Sequence, residues 1–264
     1  MFIPATIDIG DVELLGVSVE DEERKLLEGR KNWYYNKLLK RVTDENGIIN
    51  GSELRDNVFP IEKEEHFDVF ISYSHNDEEN AYGLYKYLTD KGLHVFLDST
   101  VWYSADKLQL AIDEQYSQIP IPGVRYEYAK TQLSASHVHA MISMAILEVI
   151  DRSELCIFLK SDHSLTLAEG MENHTLSPWI YEELSYFRKI RVTVPERLEK
   201  YQVRLINTNS NNLDLILEQL KVQYNINLKG FIQLGISDLL GNQKYSYGFL
   251  DDLYTKHFIL NPIL

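Results

Sequence analysis

The run Phe67-Asp68-Val69-Phe70-Ile71-Ser72-Tyr73 limits what this chain can fold into more than any other segment. It has the length and the aromatic and β-branched content of a strand, yet its apolar residues do not alternate with polar ones. Both faces must therefore be covered, which is the condition of a strand inside a parallel sheet lying between helices. The following residues agree. Asn76 or Asp77 can cap a helix in which Ala81, Leu84, Tyr85 and Leu88 keep the i, i+3, i+4, i+7 spacing, and Gly92 stands where a C-terminal cap is expected. A second strand over residues 93–98 completes a βαβ unit, whose crossover is right-handed in nearly all cases.

Further along, residues 99–136 are rich in Tyr, Ser and Pro and read as an excursion over the surface. A helix is expected from about His137 to Ile150, with Val138, Met141, Ile142, Ala145 and Val149 on one side, leading into a buried strand at 155–159. A polar loop with Ser161, His163, Ser164, Glu169 and Asn173 follows. Ser177 and Pro178 then supply a cap and a first helical residue. Before the first strand, residues 1–15 read as a short strand or arm, 19–42 as a polar helix and 43–47 as a turn, with a brief segment from Gly51 that stops at Pro60. After residue 195 the pattern gives a strand at 201–206, a helix at 213–223 and a last helix near 249–258. The expected organisation is an N-terminal helical extension at 1–65, a central domain at 66–195 with an insert at 103–136, and a C-terminal extension at 196–264 packed on that domain.

Charge and composition remove several classes of function. The formal net charge is −14 and no Lys/Arg cluster stands apart from acidic neighbours, so nucleic acid, whose binding rests on neutralised phosphates, is not an expected partner. No run of about 18 apolar residues is present to span a bilayer. Asp8, Asp11 and Glu13 interrupt the N-terminal apolar stretch, which lacks a basic leader, so a cytoplasmic location away from membranes is expected. One cysteine, Cys156, excludes an internal disulfide framework and reads as a small core residue. His137 and His139 lack a third ligand of suitable spacing, so no metal is expected. A Gly-rich phosphate loop, a Gly-x-Ser-x-Gly elbow and a zinc-protease helix are all missing.

Three ordered motifs carry a family resemblance. Phe67-Asp68-Val69-Phe70-Ile71-Ser72-Tyr73-Ser74-His75-Asn76-Asp77 resembles the first strand and loop of Toll/interleukin-1 receptor (TIR) domains. Val95-Phe96-Leu97-Asp98 is similar to the second strand. Ser177-x-Trp179-x-x-x-Glu183-Leu184 is similar to the late helix of the family's NAD+-cleaving members. The resemblance covers roughly the middle half of the chain and departs from the compact pattern in the insert and both terminal extensions. Trp102-x-x-Ala105-Asp106 and Ser136-His137-Val138-His139 further resemble a bacterial group with members in antiphage systems of the Thoeris kind.

The resemblance implies a flavodoxin-like α/β fold, with a mostly parallel sheet flanked by helices, and an enzyme that cleaves the bond between nicotinamide and ribose in NAD+. NAD+ would be the substrate and no further cofactor is implied. The leaving pyridinium departs as neutral nicotinamide, so one carboxylate can suffice where ordinary glycosidases need two. Glu183 is the expected catalytic residue, holding a ribose hydroxyl and opposing the developing positive charge. At ~100° per residue, Ile180, Leu184 and Phe187 form the expected core face, while Trp179, Glu183 and Tyr186 form an adjoining stripe facing a cleft. Glu182 points away from both, where it favours the helix dipole. Expected substrate contacts are Ser72, Tyr73 and Ser74 at one strand end, Asp98 at the next, and Trp102 and Trp179 beside them. Tyr73 reads equally as a core aromatic. The released ADP-ribose goes to water, to its own adenine or to a small acceptor, producing a signal for a separate effector. The resemblance also implies a homo-oligomer assembled through TIR–TIR contacts. Two other readings remain: a non-catalytic TIR adaptor, and a related α/β enzyme acting on free nucleosides.

Overall fold

Strands covered on both faces need neighbours on both edges, and in this protein the neighbours come from distant parts of the chain. A computed structural model describes residues 3–19, 35–59, 66–97, 99–121, 124–165, 174–190, 201–205, 224–240 and 248–262. In chain order the elements are strand β1 (Ile3–Asp8), helices α1 (Ile9–Glu13), α2 (Tyr35–Val42) and α3 (Gly51–Val58), strand β2 (Phe67–Ser72) and, after a 3-10 turn at His75–Asp77, helix α4 (Glu78–Asp90). Strand β3 (Val95–Leu97), helix α5 (Ser99–Tyr116), strands β4 (Gln118–Ile121) and β5 (Val124–Tyr126), helix α6 (Tyr128–Asp151) and strand β6 (Ser153–Lys160) follow. The remainder comprises β7 (His174–Thr175), α7 (Pro178–Lys189), β8 (Tyr201–Leu205), β9 (Tyr224–Asn225), β10 (Ile232–Leu234), α8 (Ile236–Leu239), α9 (Gly248–His257) and β11 (Phe258–Pro262).

The main sheet has the order β10-β1-β6-β2-β3, and each neighbouring pair is parallel. An α/β fold with a parallel sheet, compatible with the flavodoxin-like class, is therefore what these residues form. Read from β3, the first three positions follow the 2-1-3 start of that class. The next two positions are taken by β1 and β10, which lie in the expected terminal extensions and are members of the sheet. Two small pairs, β11 with β8 and β7 with β9, are antiparallel.

Local chemistry explains the ends of the elements. Helix α4 closes in a Schellman arrangement: Gly92 N–H donates to the Thr89 carbonyl at 2.8 Å, and Leu93 N–H reaches the Leu88 carbonyl at 3.2 Å. Gly92 has φ of 83°, the left-handed conformation that glycine adopts without steric cost. Helix α7 starts as expected, with Ser177 accepting from Ile180 N–H at 3.3 Å and Pro178 in the first turn. Asp77 occupies the N-cap position of α4 but makes no capping bond, so α4 forgoes the roughly 0.5–2 kcal/mol that such a cap contributes.

By its contacts the chain divides into two compact units, one of residues 1–19, 66–97 and 149–264, the other of 20–65 and 98–148. The first holds the sheet. The second corrects the expectation of a surface excursion at 99–136. Besides α2 and α3 it holds α5, the β4–β5 hairpin and most of α6, which begins at Tyr128 rather than His137. Ala105, Leu108 and Ile112 are buried at i, i+3 and i+7, a helical stripe that the surrounding Tyr and Ser residues obscured. Asp113 joins α5 to α6, accepting from Ser117 Oγ at 2.7 Å and Ser134 Oγ at 2.6 Å. Helix α6, at 24 residues, is long and apolar enough to cross a membrane by length and composition, with 44% of its most apolar window buried. The expected helix at 213–223 and most of that at 19–42 lie outside the described residues.

Membership of β1 in the sheet has a measurable consequence. Ile7 is fully buried, so Ile7→Ala is expected to cost about 2–5 kcal/mol in urea unfolding, as for a core strand. An unchanged midpoint would show that β1 hangs outside the cooperative fold.

Candidate functional site

Glu183 lies in the second turn of α7 and is fully buried, together with Ile180, Leu184 and Phe187. This corrects the expected face: Glu183 belongs to the core side of the helix, while Trp179 and Tyr186 are half-buried beside it. On a helical wheel of ~100° per residue the four buried positions span an arc of about 100°, the ordinary width of a core-facing stripe. Glu183 sits at its edge next to Phe187. Glu182 is half-buried and accepts from the hydroxyl of Tyr186 at 2.5 Å.

Ring contacts and electrostatics fix what α7 covers. Phe187 meets Phe70 of β2 edge to face with centroids 5.8 Å apart, and Phe231 at 6.1 Å. Phe70 is in register with Cys156 of β6, so both project from one face of the sheet. Burial pushes the Cys156 thiol well above its ordinary range, and the charge of Glu183 pushes it in the same direction. A thiol held in that state is inert.

Register extends this face toward the strand ends. Ser72 and Thr6 both pair with Phe158, two residues beyond Cys156, and so share its side of the sheet. Ser72 is fully buried, and its hydroxyl makes no hydrogen bond among the described residues. Thr6 donates to Gln233 Oε1 at 2.7 Å. At the strand ends themselves, Lys160 Nζ lies 3.0 Å from Asp8, which also accepts from Gln233 Nε2 at 2.8 Å. The candidate site thus combines Glu183 and Ser72, both expected, with Cys156 and Thr6. Neither of the latter two has a sequence signal of its own; only strand pairing brings them here.

The other expected contacts fare differently. Tyr73 is buried, 4% exposed, which selects its core reading over stacking on a ligand ring. Ser74 is half-exposed and its carbonyl accepts from Asp77 N–H at 2.8 Å, forming the turn after β2. Trp179 stands one turn before Glu183 on α7. Asp98 and the Trp102 side chain lie outside the described residues, Trp102 itself being part of α5. His137 and His139 are exposed on α6, and among the described residues no three His, Cys, Asp or Glu side chains gather to hold a metal. In the second unit, Asn36, Lys40, Glu114, Gln115 and Gln118 line a depression of about 440 Å³, which contains none of the expected site residues.

No family model, curated protein or solved structure matches this chain.

The thiol provides a direct check on the covered face. In the native protein Cys156 is expected to resist a thiol reagent such as dithionitrobenzoate at pH 8, reacting only in denaturant, and Glu183→Gln is expected to leave it unreactive because burial is the larger cause. Rapid labelling of the native protein would mean that α7 does not seal this face.

Proposed function

We propose that the protein is a TIR-domain enzyme that cleaves the nicotinamide–ribose bond of NAD+ and transfers ADP-ribose to water, its own adenine or a small acceptor. The observation that carries this reading is Glu183, a carboxylate on the core face of α7. It is the residue of the Ser-x-Trp-x-x-x-Glu segment to which the TIR resemblance assigns catalysis.

The chemistry suits such a group. As the C1′–nitrogen bond breaks, its electron pair leaves with nicotinamide and the ribose acquires oxocarbenium character. A carboxylate withdrawn from water is poorly screened, so its attraction for that charge is far larger than at a surface. Ser72, whose buried hydroxyl shares the sheet face with Cys156, is suited to bond a ribose hydroxyl. Trp179 supplies an aromatic surface one helical turn away. The signal so produced would act on a separate effector in bacterial antiphage defence, from a cytoplasmic homo-oligomer assembled through TIR–TIR contacts.

One observation favours the alternative of a non-catalytic adaptor. Glu183 has no exposure in this conformation, so the enzymatic reading requires α7 or its surroundings to open for substrate.

The deciding experiment incubates the purified protein with NAD+ and detects nicotinamide and ADP-ribose species by mass spectrometry. Glu183→Gln is expected to lower nicotinamide release by about 10²–10³-fold, the usual loss on removing one electrostatic contact to a transition state. The mass of the second product would identify the acceptor. Equal release by wild type and variant would remove Glu183 from the chemistry, and no release at high protein concentration would favour the adaptor.

A further inference from the structure

The loop after β6 is organised around one imidazole. Ser161 N–H donates to Ser164 Oγ at 2.9 Å, Ser164 N–H donates to Ser161 Oγ at 3.0 Å, and Ser164 Oγ lies 3.1 Å from the Leu159 carbonyl. Ser161 Oγ also accepts from His163 N–H at 3.1 Å and gives its own hydrogen to Asp77 Oδ2. The hydroxyl of Ser161 is thus fully committed and is no nucleophile.

Asp77 reaches this loop from the exit of the neighbouring strand, β2. Its side chain is 1% exposed and its second oxygen, Oδ1, lies 2.7 Å from His163 Nδ1. A carboxylate only accepts, so Nδ1 carries the hydrogen, and in the neutral ring Nε2 is left as a lone-pair acceptor. The His163 side chain is 55% exposed, so the ring edge opposite Asp77 is open to a ligand. A buried carboxylate that fixes the tautomer of an accessible imidazole is the arrangement by which a histidine serves as general base. It stands beyond the C-terminal ends of adjacent parallel strands, where open α/β sheets take their ligands.

We propose that His163 is the general base of the transfer step, that Asp77 is its positioning residue, and that the acceptors it serves are hydroxyls: water, an alcohol or a sugar. The assignment rests on the NAD+ reading above. As the C1′–nicotinamide bond breaks, the acceptor oxygen bonds to C1′ and its proton passes to His163 Nε2. The resulting imidazolium is stabilised by Asp77 and returns the proton to solvent. In chain order His163 follows β6, whose Cys156 feels the charge of Glu183, and precedes α7, which carries Glu183.

Two kinds of acceptor separate this role from a structural one. Water and methanol must lose a proton on attack; the ring nitrogen of a pyridine such as 3-acetylpyridine has none to lose. The full chain is assayed with NAD+ in the presence of each acceptor, as wild type, H163N and E183Q. The Asn amide can replace the Nδ1–H bond to Asp77 but offers no base, so H163N is expected to keep the wild-type melting temperature. Its pyridine exchange is expected to stay within about twofold of wild type, while hydrolysis and methanolysis fall about 10²-fold or more. E183Q is expected to lose all three. Hydroxyl transfer retained in H163N, or all transfers lost alike, would overturn the assignment of His163 alone. No nicotinamide release from the wild type with any acceptor would instead overturn the NAD+ reading, and this assignment with it. Long-range ¹H–¹⁵N spectra of the wild type give a readout that needs no variant: His163 is expected as the Nδ1–H tautomer when neutral, and the Nε2–H tautomer would refute the proposal.

Discussion

Because β2 and β6 are covered on both faces, side chains from the middle of either strand meet neighbouring elements rather than water, and among the described residues two places on these strands hold the polar groups discussed above. One is the rim formed by the strand ends, where Asp8 meets both Lys160 and Gln233, and Asp77, Ser161 and His163 form a second cluster. The other is the contact between the sheet and α7, where Glu183 enters an otherwise apolar arc. The rim is the inexpensive place for charge, since water and partners of opposite sign are near. The covered face is the expensive one, since withdrawing an ion from water costs several kcal/mol even after relaxation.

Which parts of this arrangement are legible in the sequence follows from the range of the forces that set them. Strand β2, helix α4, its glycine cap and the Ser-Pro start of α7 are written in residues adjacent along the chain, and periodicity with cap chemistry is enough to find them. Strand β1 is different. Its Pro4 argues against an interior strand, because proline cannot donate to the ladder. Pairing with β10 begins only at Ala5, so Pro4 falls where β6 is the sole paired neighbour, and the missing donor is tolerated. That fact depends on a partner more than 200 residues away and has no local trace. The second unit was hidden for another reason: Tyr, Ser and Pro suggested a loop, while burial of Ala105, Leu108 and Ile112 makes a helix of the same residues.

The candidate site was legible in part. Glu183, Ser72 and Trp179 were identifiable as residues, but the orientation of Glu183 was not, since a helical wheel gives angles between side chains and leaves the centre of the buried arc undetermined. A shift of about 40°, the interval between Phe187 and Glu183 at ~100° per residue, moves the carboxylate from a cleft wall to the core. His163 was visible as one polar residue of a loop. Only Asp77, abandoning its place as a helix cap to lie against Nδ1, separates it from the histidines on α6.

The position of Glu183 also bears on the proposed choice between catalysis and scaffolding. An adaptor needs from α7 only a face that packs, and Ile180, Leu184 and Phe187 provide it. A leucine at position 183 would extend the apolar stripe beside Phe187, adding buried hydrocarbon instead of a group that burial penalises. Replacing buried ionic groups by apolar residues of similar volume is often neutral or stabilising, so burial alone does not select a carboxylate at this position. Under the proposed enzymatic reading, a carboxylate placed where its field is poorly screened is what a developing cation on a bound ribose would require.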